Sequence, residues 1–136
     1  MNRSCNKWIG KVQLENQEGI NEKISIVIHN EIYGDNERNS FLFLKEHYNN
    51  ISAQAYRRLF EFIVNLRKRN DERNDYCQSV PVVDNLDLMK EMVFLYSIEI
   101  FNFGKIIRLF YEFGYHSEYI LTVSLTDGNI DNISFG

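Results

Sequence analysis

The sequence predicts an α+β fold: one antiparallel sheet with about three helices packed on one face, in the order β-β-α-α-α-β-β-β-β. Three observations lead there. Apolar residues alternate with period two at both ends of the chain. A stripe of 3.6-residue periodicity runs through its middle. An Asp127-Gly128 pair sits between two alternating runs near the C-terminus. Strands in runs and helices in runs are the pattern of α+β proteins, since each amphipathic element must bury one face against another layer.

The first strand spans Lys7–Glu15. Trp8, Gly10, Val12 and Leu14 share one parity, and Lys11, Gln13 and Glu15 the other. Residues 16–21 supply turn chemistry, with Gly19 free to take positive φ. The second strand, over 22–29, sets Ile24, Ile26 and Ile28 on one face and Ser25, Val27 and His29 on the other. Branching at Cβ suits a pleated sheet.

Helices follow. Phe41, Leu44 and Tyr48 predict one over 37–48, broken by Asn49 and Asn50. Ser52 then caps a second helix, which runs to about residue 69. Its apolar stripe is Ile51, Ala55, Leu59, Phe62, Ile63 and Leu66. After a polar connection containing Pro81, Asp84 reads as the N-cap of a third helix ending near Val93, with Asp87 at the positive end of the helix dipole. The remaining runs, 95–101, 105–114, 119–125 and 129–135, are rich in β-branched and aromatic residues. Asn102-Phe103-Gly104 turns the first pair. Asp127-Gly128 turns the last, because both positions tolerate the positive φ a two-residue hairpin requires.

A length of 136 residues fits a single domain, 1–136. Hydrophobic residues at 44% supply a core without disulfides or metal. Cys5 and Cys77, the two cysteines, read as free thiols of a reducing compartment. Residues 1–10 lack the apolar run of a signal peptide, and no run is long enough to span a membrane. Together these predict a cytoplasmic location. The net charge is −4, but residues 74–136 hold nine acidic groups against three basic ones. Nucleic acid is thereby disfavoured, because phosphates must be met by Lys and Arg. A basic protein partner is favoured.

The sequence offers no catalytic centre. His29, His47 and His116 stand apart from each other and from the cysteines, so no metal set is spaced for zinc, and no cofactor is expected. Cys77 lies among Asp75, Tyr76 and Gln78, without the electropositive setting a thiolate needs, so it is not expected to act with His116. Neither a Gly-x-Ser-x-Gly turn nor a phosphate-binding Gly-rich loop occurs. Asp84 and Asp87 are explained by helix capping. Arg67-Lys68-Arg69 with Arg73 complements a helix C-terminus and is interleaved with Asp71 and Glu72. The expected partner-binding residues cluster around Gly114: Tyr111, Glu112, Tyr115, His116, Glu118 and Tyr119. Tyrosine gives large contact area at low entropic cost, and aromatic anchors dominate many interfaces.

Trp8-Ile-Gly10-Lys-Val12, the Ile24-Ile26-Ile28 strand, the helices and the terminal strand pair resemble a family of small bacterial domains of unknown function. In that family an N-terminal Trp-x-Gly hairpin precedes helices, and a strand pair ends near a Gly. A Trp-(Asp)-x-Glu-His-Gly-like motif usually precedes that pair. Here Tyr115-His116-Ser117-Glu118-Tyr119 stands in its place, and only Glu118 matches. Some members lie among immunity genes of toxin systems. The resemblance implies an accessory role without enzymatic activity. The functional expectation is therefore a cytoplasmic immunity protein that occludes the active site of a basic toxin domain. The alternative is a self-associating accessory domain.

Overall fold

A computed structural model describes residues 2–4, 7–15, 21–29, 34–73, 84–113 and 116–135. Seven strands form one sheet whose spatial order follows the chain: β1 (Asn2–Ser4), β2 (Lys7–Glu15), β3 (Asn21–Ile28), β4 (Val93–Phe101), β5 (Ile106–Phe113), β6 (His116–Thr126) and β7 (Asn129–Phe135). Among the described residues two helices, α1 (Asp35–Arg73) and α2 (Leu86–Met92), lie between β3 and β4 in sequence. Every neighbouring pair is antiparallel except β3 and β4, which run parallel with Ile26 opposite Ile98 and Ile28 opposite Ile100. The sheet is therefore mixed, and two helices accompany it among the described residues. The expected antiparallel sheet with three helices is overturned on both counts.

Both corrections have one cause. Asn49 and Asn50 do not break the helix; they sit on its exposed side while α1 continues for 39 residues. An asparagine costs a helix interior only a few tenths of a kcal/mol, roughly, relative to the better helix formers. Against that stands an unbroken buried stripe of Leu44, Tyr48, Ile51, Ala55, Leu59 and Ile63. Each fully buried aliphatic side chain contributes about 1.5–3 kcal/mol. Ser52, expected as a cap, is buried within the helix. One long helix leads the chain back along the sheet to the end where β3 began. β4 therefore starts there and runs beside β3 in the same direction, as in a βαβ crossover.

The start of α1 is closed by Glu37, whose Oε2 accepts the Gly34 N–H at 3.2 Å, half of a capping box. The N-cap of α2 is Asn85 rather than Asp84: its Oδ1 accepts the Leu88 N–H at 2.8 Å. Asp87 lies in the first turn, as expected. The Asp127-Gly128 hairpin is present, with φ of 51° and 85°.

Alternation along the strands divides the sheet into two faces. Val12, Leu14, Ile24, Ile26, Ile28, Ile98 and Ile100 point to the helices, as do Leu109, Tyr111, Phe113, Leu121 and Val123, and all are buried. No helix among the described residues covers the opposite face.

Candidate functional site

The helix-free face holds the densest chemistry among the described residues. Its centre comes from β4 and β5. Cross-strand register sets Phe94 opposite Glu112 and Glu99 opposite Arg108. Between Leu95 and Ser97 the register shifts, and Tyr96 is the extra residue of a β-bulge. Leu95 packs on the core, whereas Tyr96 reaches Phe110 across the open face, ring centroids 6.3 Å apart. The bulge thus places Tyr96 and Ser97 on the same side. It lets β4 present one more outward side chain than strict alternation permits.

At the other end of the strip a stack has formed. The His29 ring, from the residue that follows β3, lies parallel to Phe101 at 4.3 Å and 5°. The Arg108 guanidinium, from β5, sits 4.7 Å from the Phe101 centroid, a cation–π contact. His29 Nε2 approaches Glu99 Oε1 at 3.4 Å, with both side chains about a quarter exposed. Nε2 makes no aligned hydrogen bond, so the contact is electrostatic and gains an ion-pair component when the imidazole is protonated. Phe94 and Tyr96 remain 49% and 37% exposed, and Ile9 of β2 41%.

Electrostatics on this face register in the Tyr96 phenol. Burial, then the negative charges of Glu112 and Glu99, push its pKa above the ordinary 10.0. A raised folded-state value means that the stability it contributes is full below pH 10.0 and is lost as pH rises through the folded value. Glu112→Gln is expected to move the Tyr96 titration down toward the ordinary value. Phenolate absorbance followed through alkaline pH, with Tyr96→Phe to identify the signal, measures it; an unmoved curve would contradict the placement of Glu112 beside Tyr96.

The expected binding residues fare unevenly. Glu112 is on this face, half-buried. Tyr111 is not: it is fully buried against the helices, edge-on to Tyr56 at 5.5 Å, and presents nothing to a partner. Adjacent strand residues point to opposite faces, so both could not have served one surface. His116, Glu118 and Tyr119 belong to β6, but their side chains, like Tyr115 itself, lie outside the described residues. So do Cys5, Cys77 and the side chains of Arg67, Arg69 and Arg73.

The residues that sequence reasoning passed over are Phe94, Tyr96, Phe101 and Phe110, with His29 and Arg108. Their signal was legible: aromatic residues recur on the strand parity that also carries Glu99, Arg108 and Glu112. The bulge at Tyr96 hid it by shifting that parity midway along β4.

Among the described residues no group of three His, Cys, Asp or Glu side chains is placed to hold a metal ion, and no helix is long and apolar enough to cross a membrane. Comparison with protein-family models, with curated proteins and with solved structures returned no match.

Proposed function

We propose that this chain is a non-catalytic binding protein whose helix-free sheet face docks a basic protein, and that its specific role is that of an immunity protein covering the active site of a bacterial toxin domain. The observation that supports the reading most is the exposed pair Phe94 and Tyr96, backed by half-buried Phe101 and Phe110 and interleaved with Glu99, Arg108 and Glu112. Interface centres are enriched in aromatics and Arg, and such residues supply most of the binding energy where they are fully desolvated by the partner. Charge divides the face: on the β4–β7 half Glu99, Glu112 and Asp131 stand against Arg108, and it is this half that favours a basic partner, whereas the β2–β3 half presents Lys7, Lys11 and Lys23. A negative surface accelerates encounter with a positive one and rejects negative partners.

The test uses the whole protein as bait in an extract of its native host, beside a Phe94→Ser/Tyr96→Ser double variant. The expected partner is basic, and its toxicity in co-expression is suppressed by the wild-type chain. The double variant is expected to weaken the complex by about 100-fold or more, since two anchor residues each contribute roughly 2 kcal/mol or above. The association rate is expected to fall as salt rises. A partner retained equally by the variant, or a captured protein that is acidic or harmless, refutes the proposal. A stable homodimer in sedimentation, lost in the double variant, would instead favour the accessory, self-associating role.

A further inference from the structure

At the end of the sheet where β4 turns into β5, a separate cleft of about 720 Å³ opens between that turn, the β6–β7 hairpin and the first turns of α1. Its volume falls within the range of roughly 300–1,000 Å³ typical of small-molecule sites. Phe94 and Tyr96 do not line it.

The walls are fixed in place. Ser40 Oγ lies 2.8 Å from Gly104 O and 2.9 Å from Asn36 O, and its one hydroxyl proton, shared between the two carbonyls, links the β4–β5 turn to the helix. The Asp127 N–H donates to Lys105 O at 3.1 Å and ties the two turns together. Gly128 rests against the Phe43 ring. A cleft held this way needs little reorganisation to receive a ligand, which removes part of the entropic cost of binding.

The β4–β5 turn requires positive φ at both Asn102 and Phe103, which explains the backbone but not the choice of a large ring at position 103. Phe103 adopts φ 56° and ψ 35°, the left-handed region that Gly and Asn occupy with ease and a bulky residue does not. The residue is 65% exposed, more than any other large hydrophobic residue described. Strain of about 1–3 kcal/mol is thus combined with an apolar ring left in water at the mouth of a cleft. Such an outlier points to a role in binding.

The polar lining indicates what would be bound. Asn36, Asn39 and Asn102 each offer both donors and acceptors, and Lys105 and Asp127 cancel in charge. A phosphate or other anion would find no net positive charge here. A ligand whose own groups both donate and accept, and which has one apolar face to lay on a ring, would be satisfied throughout. We propose that this cleft binds a neutral polyhydroxylated ligand, a sugar unit, with its C–H face on Phe103 and its hydroxyls on the asparagine amides, Lys105 and Asp127.

Backbone-amide NMR on the isotope-labelled full chain tests this, titrating glucose, galactose, mannose and N-acetylglucosamine separately, with adenosine and uridine in parallel. At least one sugar is expected to give saturable shifts confined to residues 102–105, 127–128 and the first turns of α1. Phe103→Asn is expected to weaken that binding about tenfold, the loss of one ring contact, while the melting temperature holds or rises because Asn tolerates the left-handed backbone. Three outcomes overturn the proposal: no sugar saturates at these residues, a nucleoside binds more tightly than every sugar, or Phe103→Asn binds the sugar unchanged. The melting temperature, measured on the same variant, separates weakened binding from unfolding.

Discussion

Gly104→Ala is expected to destabilise the protein by about 3 kcal/mol or more, the sum of a left-handed backbone cost and a broken tertiary contact. A Cβ at this position would lie 2.2 Å from Ser40 Oγ and 2.5 Å from the Asn36 carbonyl oxygen, at φ 87°. The second contact is with backbone, so rotating a side chain does not relieve it. The β4–β5 turn would have to leave the helix, breaking the Ser40–Gly104 hydrogen bond. Gly128→Ala is the internal comparison. Its φ of 85° imposes a similar backbone cost, but its Cβ would meet only the Phe43 ring, at 3.1 Å, and that ring is partly exposed and able to move. It is expected to lose about 1–2 kcal/mol. Urea denaturation of both variants distinguishes the sites. Equal losses would show that Gly104 is held by its dihedral alone, and a neutral Gly104→Ala would contradict the close packing of turn and helix.

Tyr111→Ala is expected to cost about 4 kcal/mol, in the range for emptying a large aromatic site in a core. Tyr111 is fully enclosed and edge-on to Tyr56, whose hydroxyl donates to Val93 O at 2.7 Å. Removing the ring leaves a void between α1 and the centre of the sheet. For a domain of this size the melting temperature should fall by about 15 °C. Phe94→Ala, on the other face of the neighbouring strand, should shift stability by no more than about 1 kcal/mol, since half of that side chain is already in water. Partner binding should respond in the opposite sense. It should fall steeply in Phe94→Ala and remain intact in Tyr111→Ala at temperatures where that variant is folded. A Tyr111→Ala chain that is stable but no longer binds would return Tyr111 to the interface.

These contrasts show where local pattern suffices and where it fails. Alternation over Lys7–Glu15 placed Val12 and Leu14 inward correctly, because a strand with one buried face writes that face into its own residues. The same reasoning grouped Tyr111, Glu112 and Tyr115 by nearness in sequence, although consecutive strand residues face opposite ways. The stack of His29, Phe101 and Arg108 joins the end of β3 to β4 and β5, with the whole helical segment between His29 and Phe101 in sequence, so no local window contains it. The cleft likewise draws on α1 and two turns far apart in the chain, and sequence reading identified its turns without the space between them.

What the sequence determined by itself is the set of elements that depend on neighbours in the chain: the strand faces, the apolar stripe of α1, and the Asp127-Gly128 hairpin. What only the tertiary structure decided is whether Asn49 and Asn50 interrupt the helix, and hence that β4 lies parallel to β3. The physical reason is one of scale. A few tenths of a kcal/mol of helix propensity, roughly, is overridden when residues on both sides bury one continuous stripe against a sheet, at about 1.5–3 kcal/mol for each fully buried side chain.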